Sequence, residues 1–131
     1  MKVNLNLLPY DLTQEYLKLG YDYEVLYEYE DESTARKLKN WTNDCKNPCP
    51  MAEHVCQWLR EEKDLQLFPI RVGNATMPFL GYAFIIFSLN KANPEFTGEP
   101  YGTAEEAIIE GLKYIIKNYE SYRDILDQTN D

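Results

Sequence analysis

Three cysteines and the only histidine of the chain lie within twelve residues, at Cys45, Cys49, His54 and Cys56. These residue types bind zinc, and a structural zinc ion takes four of them. Residues 50–63 have a helical pattern, and side chains two positions apart on a helix point about 200° apart at ~100° per residue. His54 and Cys56 therefore cannot both face one ion. The alternative interpretation is a polar loop with a partly buried Cys56 and a surface histidine.

Cys49 is also a candidate nucleophile, because a thiol near the N-terminus of a helix has a lowered pKa. A catalytic cysteine needs a base, and only His54 offers an imidazole. With Pro50 in the first turn, His54 lies about one turn along the helix, within possible contact. An inert cysteine in a loop is the simpler interpretation.

The sequence contains no G-x-S-x-G elbow, no P-loop and no dinucleotide fingerprint. The pair Glu105–Glu106 falls on a predicted helix surface, where a solvated face is expected. Glu24, Glu28 and Glu30 share one face of a predicted strand and could hold a hard cation. A hairpin balanced by the adjacent lysines is the competing interpretation. We therefore predict no catalytic residue, no metal site and no cofactor.

The chain has 131 residues, with 22 Asp and Glu against 13 Lys and Arg, and a formal net charge of −9. Nucleic acids and anionic membranes both require clustered cations, so this charge argues against either as a partner. The longest apolar run, 82–87, has six residues, whereas a transmembrane helix needs about 20. The first residues lack the apolar centre of a signal peptide, and an odd number of cysteines suits a reducing compartment. We expect a cytoplasmic protein.

Apolar periodicity predicts seven elements in a single domain, 1–131. They are a helix over 9–19, strands over 21–30 and 34–41, a helix over 50–63, strands over 65–72 and 79–89, and a helix that opens at Thr103. Thr103 and Glu106 have the spacing of a capping box. The order α-β-β-α-β-β-α predicts an α+β fold. We expect one antiparallel four-stranded sheet with the helices packed mainly on one face, because short turns join the strand pairs.

The segment 21–30 is the clearest predicted strand, since nine of its ten positions alternate between apolar and acidic residues. Its aromatic face carries Tyr21, Tyr23, Tyr27 and Tyr29. Tyrosine is favoured at interfaces, which makes these four a possible interaction surface. Alternatively, their rings form the core under a helix and their hydroxyls lie at its rim.

The other predicted strands differ in how they can be placed in a sheet. Pro69 cannot donate a backbone hydrogen bond, so 65–72 is expected to be an edge strand or to carry a bulge. The strand 79–89 is apolar on both sides and is expected near the sheet centre. The helical stripes predict that Trp58 and Leu112 are deeply buried.

The strand 34–41 carries Arg36, Lys37 and Lys39, which are expected to face the acids of 21–30. Such charges also protect a strand edge from pairing. If the tyrosine strand is outermost, it is left as the one long unprotected edge. We therefore predict a homodimer that forms through this edge or through the tyrosine face.

Three stretches of the chain carry a resemblance to known proteins. They contain Pro9-Tyr10 with Leu19-Gly20-Tyr21-Asp22, then Trp58-Leu59-Arg60-Glu61, and finally Tyr101 to Ala107. The chain resembles a group of small uncharacterised proteins of gut bacteria and their prophages over about its whole length. The resemblance implies a phage- or mobile-element-associated protein, and it carries over no activity and no site residue.

The sequence thus predicts a small acidic, non-enzymatic protein-interaction module of phage or mobile-element origin, whose partner is another protein or a second copy. In a more specific variant, its carboxylates occupy the phosphate sites of a host DNA-binding enzyme and block it. The alternative function is a cysteine- or metal-dependent enzyme. That enzyme requires Cys45, Cys49 and His54 to converge within coordination or hydrogen-bond distance.

Overall fold

The computed structural model describes residues 6–88, 94–96 and 100–120. Within them the elements are α1 (Tyr10–Lys18), β1 (Val25–Tyr29), β2 (Ala35–Thr42), α2 (Ala52–Glu62), β3 (Leu65–Val72), β4 (Gly81–Ser88), β5 (Glu95–Phe96) and α3 (Ala104–Lys117). The α+β class and the predicted element order are confirmed, with the two-residue β5 as an addition. The predicted strand end at residue 89 lies outside the described residues.

The chain divides into two compact units, Met1–Trp58 and Leu59–Asp131. The division falls inside α2, which runs without interruption from Ala52 to Glu62. The single domain expected from the length of the chain stays a prediction.

The prediction of one four-stranded sheet is wrong, because the strands form two separate antiparallel sheets, β1-β2 and β3-β4-β5. The second edge of β1 pairs with the loop before α2: Tyr29 N donates to Asn47 O at 2.8 Å, and Cys49 N donates to Tyr27 O at 2.9 Å. The second edge of β4 pairs with β5 and, through an isolated bridge at Tyr82, with Tyr101. Both strands are thus paired on both sides within their own unit.

In the first unit, β1 is shorter than the predicted strand because residues 20–21 complete the end of α1. Gly20 has φ +104°, its N–H donates to Leu17 O, and the N–H of Tyr21 donates to Tyr16 O. This is the hydrogen-bond pattern of a Schellman motif, which glycine favours. Residues 21–24 therefore leave the helix as irregular chain, and strand pairing begins only at Val25.

The core of the first unit is built around Trp58, which is 2% exposed, as predicted. The rings of Tyr16 and Tyr21 meet it edge to face, with centroids 6.4 and 5.6 Å away. The chain before α1 is bound to the start of α2, since Leu8 N donates to Pro50 O and Ala52 N donates to the carbonyl of residue 6. Other buried members of this core are Leu8, Leu12, Val25, Tyr29, Cys49, Ala52 and Val55.

In the second unit, α3 covers one face of β3 and β4. Gly111 allows the close approach: a Cβ there would lie 2.5 Å from Leu67 Cδ1 and 3.1 Å from Phe84 Cγ. Leu112 on the same helix is fully buried, as predicted. The buried residues of this layer are Leu65, Leu67, Phe84, Ile86, Ala107, Leu112 and Ile115.

The start of α3 confirms the predicted helix boundary. The hydroxyl oxygen of Thr103 accepts a hydrogen bond from Glu106 N at 3.1 Å, as a capping box requires. The Glu106 carboxylate accepts from Gly102 N at 3.4 Å, one residue earlier than in the standard motif.

The predicted positions of the strands in the second sheet are also confirmed. β4 is central, and β3, with Pro69, is an edge strand. Residues paired across antiparallel strands share a face. Leu67 and Ile86 are paired and lie on the buried face, whereas the pairs Gln66–Phe87 and Phe68–Ile85 lie on the opposite one.

Candidate functional site

The three cysteines and the histidine do not form a metal site. Among the described residues, which include all four, no group of three or more His, Cys, Asp or Glu side chains could hold an ion. His54 lies against the ring of Trp41, with centroids 5.4 Å apart. Cys49 is 1% exposed, and its Sγ contacts Leu8 O at 3.9 Å. The alternative enzyme function therefore lacks the convergent geometry that it requires.

Cys49 is a buried thiol, not an activated one. Burial raises its pKa, and a hydrogen bond with the Tyr29 side chain offsets only part of this increase. The helix α2 starts three residues later, at Ala52. Burial also raises the pKa of Cys45, and the charge of Glu28 adds to this effect. Neither cysteine has the electropositive surroundings of a nucleophile.

The four tyrosines of the predicted interaction surface have separate environments. Tyr21 and Tyr29 are 5% and 7% exposed and belong to the core, and burial raises the pKa of both hydroxyls. Tyr23 and Tyr27 are half-buried. The second edge of β1 is occupied by residues 47–49, so β1 is not the outermost, unprotected strand on which pairing of two copies was predicted.

The acidic face of β1 is used inside the unit. Glu28 forms an ion pair with Arg36 at 2.9 Å, as expected for this hairpin. Its second carboxylate oxygen accepts hydrogen bonds from the N–H groups of Lys46 and Asn47 at 3.1 and 3.4 Å. These interactions hold the pKa of Glu28 below its usual range, with the Arg36 hydrogen bond as the largest cause. Glu28 thus anchors the loop that carries Cys45.

Large apolar side chains are exposed on the sheet face opposite α3, which we call the outer face. Its residues are Gln66, Phe68, Ile70 and Val72 on β3 and Gly81, Ala83, Ile85 and Phe87 on β4. Phe68 and Phe87 are each 41% exposed, and their rings meet at 6.1 Å with an interplanar angle of 69°. Ala83 is fully buried, so the exposed apolar area lies at the end of the face that carries the two rings.

A cavity of about 210 Å³ adjoins this aromatic pair. It is lined by Arg60, Asp64, Gln66, Phe87 and Ser88. Arg60 is in the last turn of α2, and Asp64 sits in the short connection to β3 with φ 54°. The Ser88 hydroxyl is buried without a hydrogen-bond partner within the described part of the chain. The cavity therefore combines a cation, an anion and an aromatic wall.

A second exposed apolar group lies in the turn between β3 and β4, residues 73–80, which we call the hairpin end. Met77, Phe79 and Leu80 are 53%, 43% and 43% exposed. The ring centroids of Phe79 and Tyr82 are 5.4 Å apart. The Arg71 guanidinium carbon lies over the Phe79 ring, 4.7 Å from the centroid of that ring. The turn is held by the Asn74 side chain, whose oxygen accepts from the N–H groups of Thr76 and Met77. Three apolar side chains and a cation are thus presented on an ordered turn.

The sequence contained a sign of the outer face that the strand prediction did not use. In β3, Leu65 and Leu67 are buried while Gln66 and Phe68 are exposed, which is the alternation of a strand with one covered face. A phenylalanine in phase with a glutamine predicts an exposed aromatic ring. For the hairpin end, the run Met77-Pro78-Phe79-Leu80 has no polar residue, although its position is that of a surface turn.

Comparisons of the chain with protein-family models, with curated proteins and with solved structures find no match. None of the helices in the described ranges is both long enough and apolar enough to span a bilayer.

Proposed function

We propose that the chain is a non-enzymatic protein-binding module and that the hairpin end is the surface that binds the partner. The observation that carries this proposal is the joint exposure of Met77, Phe79 and Leu80 on one turn. Exposed clusters of large apolar side chains mark interaction sites, because leaving them in water is unfavourable. Aromatic residues and methionine are also enriched in the centres of interfaces.

The chemistry of the hairpin end indicates what it binds. Arg71 stacks over Phe79 and leaves a positive charge beside the apolar cluster. A complementary partner offers an apolar pocket for the three side chains and a carboxylate near its rim for Arg71. Such a contact is specific, because a buried arginine without an acid is costly.

The hairpin end takes the place of the tyrosine surface that the sequence predicts. Tyr21 and Tyr29 are core residues, which leaves Tyr23 and Tyr27 as peripheral contributors at most. The resemblance to prophage proteins of gut bacteria suggests a host protein as the partner, in the cytoplasm. A partner that binds nucleic acid fits the excess of acidic residues, but the hairpin end itself is apolar and cationic.

The test is affinity capture with the full chain as bait in a lysate of a gut bacterium. We expect one partner to be recovered by the wild type and lost with Met77→Ser/Phe79→Ser. Trp41→Ser is the matched control, because Trp41 is equally exposed, at 43%, but lies in the first unit. Equal recovery by the hairpin-end variant, or no partner with any bait, contradicts the proposal.

A further inference from the structure

We infer that a second copy of this chain docks on the outer face, with Phe68 and Phe87 at the centre of a symmetric dimer. The inference does not depend on the hairpin end, which extends from the other end of the hairpin. Its basis is the pair of aromatic rings, each residue 41% exposed. The pair lies directly beside a cavity that is lined by one cation and one anion, Arg60 and Asp64.

The aromatic pair supplies the apolar part of this interface. Phe68 and Phe87 are on neighbouring strands and contact each other edge to face at 6.1 Å. Ile85, half-buried, is paired with Phe68 and extends the apolar surface. Two sheets of this kind pack face to face at about 10 Å, so that side chains from both inner faces interdigitate.

The charges beside the rings make this surface complementary to itself. Arg60 and Asp64 both line the cavity at Phe87, and within the described ranges neither forms an ion pair. In a two-fold dimer each patch contacts the same patch of the partner. A two-fold axis roughly along the strands sets Arg60 of one copy opposite Asp64 of the other, and this contact occurs twice.

Few large apolar side chains are exposed on the outer face, with Phe68 and Phe87 as the main ones, so the expected interface is small. Interfaces below about 1,200 Å² of total buried surface are weak and transient. Two copies with a net charge of −9 each also repel one another. We therefore expect a reversible dimer with a dissociation constant on the order of 100 µM.

The first test is sedimentation velocity from about 10 to 500 µM at a fixed ionic strength near 0.15 M. We expect Phe68→Thr to weaken the dimer at least about tenfold, as truncation of a central aromatic residue does. Phe87→Thr is a second variant of the same kind. Phe79→Thr is the matched control. Phe79 has a similar exposure, 43%, but it contacts Arg71 and Tyr82 on the opposite side of the sheet. We expect the Phe79→Thr variant to form the dimer as strongly as the wild type does.

The second test measures the charge pairs without disturbing the core. Arg60→Gln and Asp64→Asn each remove one partner from both symmetric contacts, and asparagine also tolerates the positive φ of residue 64. We expect each to weaken the dimer about three- to tenfold. The dimer of the double variant is expected to be no weaker than the dimer of either single variant, because each single substitution already removes the same contacts.

Different results would overturn the dimer itself and the charge pairing within it. A strict monomer at 500 µM, or a dimer that Phe68→Thr and Phe87→Thr leave unchanged while both variants remain folded by circular dichroism, overturns the inference. Additive losses for Arg60→Gln and Asp64→Asn overturn the pairing of these two residues across the axis. A monomer that captures another protein through Phe68 assigns the outer face to that partner and also refutes the second copy.

Discussion

The Cys49 side chain is enclosed by core residues, with its sulfur 3.9 Å from Leu8 O and its pKa raised by burial. Alkylation requires the thiolate and access to it. We expect iodoacetamide at pH 8 to modify Cys45 and Cys56, which are half-buried, at least about tenfold faster than Cys49 in the native protein. Peptide mass spectrometry measures this. In urea the three labelling rates should converge. Fast labelling of Cys49 in the native protein would instead support the hypothesis of a cysteine-dependent enzyme.

The Glu28 carboxylate gives a second prediction, on pH dependence. Its folded pKa is lowered by Arg36 and by the N–H groups of Lys46 and Asn47. The stabilisation is therefore complete above the unfolded value of about 4.3 and is lost as the pH falls through the folded value. We expect Glu28→Gln to be less stable than the wild type at pH 7 and to lose less stability between pH 5 and pH 3.

Urea denaturation at several pH values measures both effects of the Glu28 substitution. Glu24→Gln is the control, because Glu24 is an exposed acid of the segment that precedes β1. It should keep the stability and the pH dependence of the wild type. If Glu28→Gln titrates as the wild type does, the loop around residues 46–47 is held by other contacts.

At the scale of elements, the contact of α3 with its sheet depends on the missing side chain of Gly111. Alanine is favoured over glycine in a helix by about 1 kcal/mol, but its Cβ would meet Leu67 Cδ1 at 2.5 Å and Phe84 Cγ at 3.1 Å. Overpacking a core costs about 1–3 kcal/mol. We expect Gly111→Ala to destabilise the protein by about 1–2 kcal/mol in urea denaturation.

A double variant shows whether this loss comes from the Leu67 contact. Leu67→Ala alone opens a cavity, but it also makes room for the Cβ at residue 111. The loss for Gly111→Ala/Leu67→Ala should therefore be smaller than the sum of the two single losses. A net stabilisation by Gly111→Ala would mean that α3 moves away from the sheet at little cost.

The elements themselves were predictable where the signal is local. Apolar periodicity predicted α2 and β3 within two residues, and the Thr103–Glu106 spacing predicted the start of α3. The sheet arrangement was not predictable, because the partner of a strand edge is distant in sequence. Nothing in residues 47–49, which include a proline, resembles a strand, yet they pair with β1.

At the scale of the whole molecule, stability is tested at Trp58. It is 2% exposed and contacts the rings of Tyr16 and Tyr21. We expect Trp58→Ala to lower the free energy of unfolding by about 3–5 kcal/mol, since it leaves a large cavity in the core. Trp41→Ala, at a residue that is 43% exposed, should change it by less than about 1 kcal/mol. Similar small losses for both variants would contradict the burial of Trp58 in the core.

The candidate surfaces were harder to predict than the core. Alternation along residues 21–30 placed tyrosines on one face, but it could not show that the hydrogen bonds ending α1 draw Tyr21 into the core. Conversely, Phe68 and Phe79 are apolar and were expected inside strands. The exposure of Phe68 depends on which sheet face α3 covers, and that is a tertiary property. Phe79 is exposed because residues 73–80 form the turn between β3 and β4.

The pairing of residues 6–8 with residues 50–52 also affects the order in which parts of the first unit fold. Joining Leu8 to Pro50 closes a loop of about forty residues, whereas the β1–β2 hairpin joins near neighbours and can close within about 10 µs. Closing the larger loop costs more entropy. During synthesis at roughly 5–20 residues per second, the first segment leaves the ribosome and then waits roughly 2–9 s for its partner. We therefore expect residues 6–8 to reach their native place later than the β1–β2 hairpin does.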